Sequence, residues 1–123
     1  MVSPALGVLA RDDEVVVSRY INDLDMAKVL ENFVGRLESQ INAMHQAFAN
    51  ERFEELQRHA HKLKGAGGSY GYPSLTDAAK VLEDAAKTQD SVAAGAALDT
   101  MDRLVHAIQN GYSANTPAGG SKL

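Results

Sequence analysis

Residues 58–73 read R-H-A-H-K-L-K-G-A-G-G-S-Y-G-Y-P and hold the side chains best suited to covalent chemistry. A helix advances about 100° per residue, so His61, Lys64, Gly65 and Gly68, at i, i+3, i+4 and i+7, fall on one face. That face carries an imidazole, an ammonium and two positions without a side chain. The apolar residues Phe53, Leu56, Ala60 and Leu63, continuing through Gly67 to Tyr70, form a second repeat on a face of their own. Glycine inside a helix costs about 1 kcal/mol relative to alanine, so Gly65, Gly67 and Gly68 together forfeit about 3 kcal/mol. One reading ends the helix at Gly65 in a C-terminal cap followed by a loop. The other carries it to about Tyr70, as the apolar repeat runs, with the glycines keeping the surface beside His61 flat enough for another protein's backbone to approach. The continuing repeat favours the second.

A neutral imidazole nitrogen is a good nucleophile, and an ordinary imidazole pKa of about 6.5 leaves most of such rings neutral near pH 7. An exposed helical histidine can therefore attack a phosphoryl group and hold it as a phosphoramidate. The bound group brings close to two negative charges, and Lys64, one turn along, stands where an ammonium offsets them by charge-assisted hydrogen bonding. Catalysing such a transfer takes a metal ion and acidic ligands around the in-line oxygens. No carboxylate cluster lies near His61 in the sequence, so a partner must bring them. Nor is there a Gly-rich loop followed by Lys-Ser or Lys-Thr, so phosphorylation from ATP by this chain itself is not expected. Arg58, Lys62 and Lys64 surround His61 on a chain of net charge −4, a local reversal that suits an acidic partner surface or a phosphoryl group. Basic residues late in a helix also complement its dipole. Glu83 and Asp84 receive no place in the site, because sequence does not fix how two helices face one another.

The run His61-Lys62-Leu63-Lys64-Gly65, followed by Gly68 and Gly71, resembles the signature of the histidine-containing phosphotransfer (HPt) domains of bacterial phosphorelays. The similarity extends from about Ser18 to about Tyr112 and includes the Tyr-Gly-Tyr-Pro exit. It implies a phosphocarrier without kinase activity of its own, with His61 as phosphoacceptor. It also implies response-regulator receiver domains as partners, with a hybrid histidine kinase as a further candidate. The receiver's aspartyl phosphate and Mg²⁺ would serve the transfer, so no cofactor of this chain is expected. Gly65 is followed by Ala66 and then two glycines, a richer run than packing alone needs.

Composition narrows the alternatives. The chain has 123 residues, 45% apolar and 23% charged, enough for one domain with a single core. It lacks cysteine, which excludes disulfides and thiolate metal sites and suits a reducing cytoplasm. The apolar residues 2–10 have no basic flank, and nothing approaches the roughly 18–20 apolar residues of a membrane span. Net negative charge argues against nucleic acid as a partner, and a monomer is expected.

The elements that must hold the site follow from periodicity. Residues 1–22 have no clean helical period and read as an arm, extended or briefly helical, that lays its valines or Tyr20 and Ile21 on the rest. Asp23 or Asp25 can cap the next element. From residue 26 to 49, Met26, Leu30, Phe33, Leu37, Ile41, Met44 and Phe48 step by three or four, the mark of a long amphipathic helix. Asn50 is expected to cap the second helix, which Gly71 and Pro73 end. Ser74 with Asp77 resembles a capping box for a third, with Leu75, Ala79 and Leu82 inward. Asp90 can cap a fourth, from 91 to about 110, burying Ala97, Met101, Leu104, Val105 and Ile108. Residues 113–123 read as a disordered tail. The expected fold is all-α, an antiparallel four-helix bundle over residues 23–112.

Two other readings compete. A helical interaction module would bind a receiver-like partner on the same flat surface without taking phosphate. A metal-dependent bundle enzyme is disfavoured, since no Glu stands three residues before a His. His59 lies about 200° round the helix from His61, so the two make no chelating pair. His45 and His106 flank apolar stripes and read as structural or surface histidines.

Overall fold

Asp23 prepares the first helix: its carboxylate accepts the Asp25 N–H at 2.9 Å and caps a single 3-10 turn, Leu24–Met26. In this computed structural model, which describes residues 15–115, that turn leads into α1, Ala27–Ala49. Helix α2 is Phe53–Ser69, α3 is Pro73–Lys87 and α4 is Ser91–Asn115. No strand occurs among the described residues. Each helix packs on two neighbours, α1 on α2, α2 on α3, α3 on α4 and α4 back on α1. Short connections make successive helices antiparallel. The chain thus forms the all-α bundle its periodicity predicts.

The inward stripes meet in one core. Leu30, Phe33, Leu37 and Met44 of α1 are buried against Leu56, Ala60 and Leu63 of α2, Leu75 and Leu82 of α3, and Leu98, Met101 and Ile108 of α4. Of the residues assigned to the buried face of α4, Leu104 is only partly buried, and Ala94 and Leu98 join the core instead.

Three local expectations change. Asn50 closes α1 rather than opening α2: its Nδ2 donates to the Gln46 carbonyl at 2.9 Å, and Glu51, at φ +56, takes the left-handed step into α2. Ser74 and Asp77 lie inside α3 and cap nothing, because Pro73 starts that helix where a missing N–H costs no bond. Asp90 does cap α4, accepting the Ala93 N–H at 3.0 Å. Helix α4 continues to Asn115 instead of giving way to a tail at Ser113, since Gly111 is buried and Tyr112 packs on the core beyond Asn110. The rest of the expected tail, 116–123, and the first part of the arm, 1–14, lie outside the described residues.

The described part of the arm is laced to the bundle by its backbone. The Val16 N–H donates to the Ala107 carbonyl at 2.9 Å, and the Arg19 N–H to the Gly71 carbonyl at 2.9 Å. Ser18 is buried, its hydroxyl donating to the Tyr70 carbonyl at 2.6 Å. Val16 packs on the core, whereas Tyr20 stays exposed. Gly71, at φ +82, makes this possible: a Cβ there would strike the Ser18 hydroxyl, the Arg19 nitrogen and the Tyr20 ring. The α2 exit is therefore fixed from two sides, with Phe33 and Tyr70 stacked at 4.3 Å beneath it.

These contacts separate two glycines of one chain. Gly71→Ala should lower the unfolding free energy by about 2–3 kcal/mol, combining a left-handed backbone with a steric clash. Gly35→Ala, in mid-α1 with open space around the missing Cβ, should raise it by up to about 1 kcal/mol. Urea denaturation of both variants checks this; equal effects would contradict the packing described.

Candidate functional site

Helix α2 runs through the glycine run to Ser69, so Gly65, Gly67 and Gly68 are helical. Their roles differ. Gly67 is buried, and a Cβ there would collide with the Thr76 hydroxyl and backbone and with the Tyr72 carbonyl. Gly65 has nothing within 4 Å of a would-be Cβ, and Gly68 only the Thr76 hydroxyl at 4.0 Å. Packing demands one of the three; the other two leave bare backbone at the surface. His61 projects beside them with its side chain 66% exposed. His61, Lys64, Gly65 and Gly68 thus share one outer face, while Leu56, Ala60, Leu63 and Gly67 form the buried one.

The structure adds Glu83, which the sequence reading left out. Its Oε2 lies 2.8 Å from His61 Nδ1 and its Oε1 lies 2.8 Å from Lys64 Nζ. An ionised carboxylate only accepts hydrogen bonds, so Nδ1 must carry the proton of the neutral ring. The lone pair then resides on Nε2, the nitrogen turned away from α3. The Lys64 hydrogen bond, followed by that of His61, holds the Glu83 carboxyl below the usual glutamate range, against a smaller opposing effect of desolvation. Glu83 thereby stays ionised at neutral pH. Lys64 is correspondingly engaged with Glu83 in the resting protein, an ion pair the sequence reading did not include.

Arg58 and Lys62, expected together around His61, diverge. Lys62 lines a groove of about 380 Å³ between α1 and α2, with Arg36, His59, Leu63 and Tyr70 among its walls. Arg58 lines a shallower hollow at the start of α2 with Glu51, Glu54 and Gln89. The two stand four positions apart, only about 40° round α2 but about 6 Å along it, so Arg58 falls at the end of the bundle near Glu51 and Gln89 while Lys62 falls beside α1. His59 lies 3.6 Å from Glu55 on its own helix, and His45 Nε2 lies 2.7 Å from Asp102 across α1 and α4. Asp84 faces away from the site and pairs loosely with Lys80 at 3.5 Å. Among the described residues no group of three or more His, Asp or Glu side chains stands close enough to hold a metal ion.

One signal for Glu83 was available. In two antiparallel helices joined by a tight turn, residues equally far from the turn face each other, and His61 and Glu83 each lie eleven positions from Tyr72. Using it requires the turn to be located to within a residue, which the Tyr-Gly-Tyr-Pro segment alone does not permit.

The depressed Glu83 carboxyl has a pH signature. A folded-state value below the unfolded one contributes stability that is present above the ordinary glutamate range and is lost as pH falls through the folded value. Glu83→Gln should therefore destabilise the protein at pH 7 and lose that penalty once the pH drops below the depressed value. Urea midpoints for wild type and variant, at pH 7 and in acid, measure the difference; a penalty independent of pH would contradict the ionised pairing.

A family model for the Hpt domain matches residues 28–111, from the first turn of α1 to the last third of α4. No curated protein and no solved structure matches the chain. Among the described residues no helix is long and apolar enough to cross a membrane. The matched span covers well over half of the sequence and encloses α2 with His61, α3 with Glu83 and the core that holds them together. By that match, and by its all-helical bundle, the chain belongs to the Hpt domain family, the histidine phosphocarriers of phosphorelays that work with receiver domains.

Proposed function

We propose that Nε2 of His61 accepts a phosphoryl group from the aspartyl phosphate of a receiver domain and passes it to the aspartate of another. The observation that carries this is the hydrogen bond between Nδ1–H and Glu83, which leaves the exposed Nε2 as the nucleophile. In the forward step an Nε2–P bond forms and the aspartyl O–P bond breaks, and the electron pair leaves with the receiver's carboxylate. The developing imidazolium is stabilised by Glu83, and its Nδ1 proton stays on that hydrogen bond. Mg²⁺ and the acidic residues around the transferring oxygens come from the receiver. Lys64 has three donors, so its ammonium can keep Glu83 and still offer a hydrogen bond to a phosphoryl oxygen on the ring.

The surface supports such a partner. Gly65 and Gly68 allow close backbone approach to the ring, and Lys62 and Arg36 rim the groove between α1 and α2 above an apolar floor that includes Phe33, Met44 and Leu63. An acidic receiver face with an apolar centre complements that pattern. Arg58 adds positive charge nearer the start of α2. In this reading the protein is a monomeric cytoplasmic carrier that brings no cofactor of its own and binds neither nucleic acid nor membrane.

Incubation with a phosphorylated receiver and Mg²⁺ should transfer an acid-labile, alkali-stable label that His61→Gln abolishes and His59→Gln leaves intact. Label retained by His61→Gln would refute the assignment. Binding that survives His61→Gln with no label in any variant would leave the interaction-module reading standing in its place. Lys64→Ala should slow transfer by about tenfold to a hundredfold, the usual loss for a hydrogen bond to a charged group.

A further inference from the structure

Helices α2 and α3 approach tightly where Gly67 faces the beginning of α3. The space a Cβ would take there is filled by the Thr76 hydroxyl, which donates to the Lys64 carbonyl at 2.8 Å. Beside it the Tyr72 N–H donates to the Gly67 carbonyl at 2.7 Å. The Thr76 hydroxyl bonds to backbone and not to the imidazole of His61, whose partner is Glu83. It is nevertheless tied to the site twice. The carbonyl it binds belongs to Lys64, whose ammonium holds Glu83. Thr76 and Glu83 stand seven residues apart, hence on the same face of α3 and about 10 Å apart along its axis. One face of α3 therefore contacts α2 at two levels, through Thr76 at the Lys64 backbone and through Glu83 at the Lys64 and His61 side chains.

We infer that Thr76 is a positioning residue for phosphotransfer, its hydroxyl fixing the register of α3 on α2 at which Glu83 reaches His61 Nδ1. The physical reason lies in tolerance. Apolar side chains packed between two helices permit sliding by a fraction of an ångström at little cost, whereas a hydrogen bond from a short side chain to one carbonyl loses strength over the same distance. The Glu83–Nδ1 bond is equally sensitive, so a register error at Thr76 reappears two turns away as a stretched contact to the ring. Gly67 is the counterpart of the device: only a bare Cα leaves room for the hydroxyl to reach the carbonyl. The consequence for chemistry depends on the assignment of His61 as phosphoacceptor made above, but the consequence for the ring does not.

The test compares Thr76→Val, which removes the donor at similar size, with Thr76→Ser, which keeps it. The unphosphorylated full chain is examined by nitrogen NMR of the His61 ring, and phosphoryl uptake from a phosphorylated receiver is timed alongside thermal unfolding. Thr76→Val should shift the ring from the Nδ1–H tautomer toward a mixture of the two. It should also slow uptake between about twofold and tenfold, the range for one lost hydrogen bond, with label still on His61. Thr76→Ser should restore both. An unchanged ring spectrum in Thr76→Val, or a loss that follows the melting temperature and is not restored by serine, would overturn the inference. Thr76→Ala, which removes the donor without setting a methyl group against the Lys64 carbonyl, should disturb the ring in the same direction and decides the matter if the valine variant does not fold. Failure of the wild-type protein to take label would refute the phosphoacceptor reading alone, because the ring tautomer is measured without phosphate.

Discussion

One carboxylate shared between a ring and an ammonium organises the site. Glu83 accepts from His61 Nδ1 on one oxygen and from Lys64 Nζ on the other, both at 2.8 Å. Without a partner of fixed position, a histidine two-thirds exposed on a helix would rotate and exchange tautomers freely. With it, the ring has one protonated nitrogen directed inward and one lone pair directed to solvent. The carboxylate can act this way because it is mostly sheltered, its side chain 13% exposed, and is kept ionised by the two groups it serves.

That arrangement makes demands on the backbone. Glu83 is on α3 and its two partners are on α2, so the separation of those helices must be right to within a hydrogen bond's tolerance. Gly67 permits the approach, Thr76 occupies the space, and the arm residues Ser18 and Arg19 secure the turn between the helices through Tyr70 and Gly71. A glycine run that looks expensive on helix propensity is thus divided between two uses. Gly67 is needed for packing, while Gly65 and Gly68 are bare surface beside the ring. Their cost of about 1 kcal/mol each is offset by a core drawn from all four helices.

In the proposed reaction, labour is split between two proteins. This chain supplies a nucleophile in a set tautomer and a nearby cation, and the receiver supplies metal and acidic groups. A small bundle suffices for that role, since nothing in it has to close over the phosphoryl group; orientation is provided by rigid helices rather than by loops.

Whatever repeats along a single helix was legible in the sequence. The inward stripes of α1 and α2, the passage of α2 through the glycine run and the common face of His61, Lys64, Gly65 and Gly68 all follow from a period of 3.6 residues; Asp90 announces its cap by chemistry, and Asp23 was one of two candidates for the first. Local chemistry was less reliable where tertiary contacts compete: Asn50 closes a helix instead of opening one, and α4 outlasts its expected end because Gly111 and Tyr112 find partners there. Relations across helices were not legible at all. The sequence by itself determined which face His61 occupies and that Lys64, Gly65 and Gly68 share it. Only tertiary structure decided that Glu83 holds the ring, that Thr76 reaches the backbone of Lys64, and that Lys62 and Arg58 part company. The periodicity of a helix states the direction of each side chain about its own axis, whereas the register between two axes is set by the turn and by close packing, to which distant parts of the chain contribute.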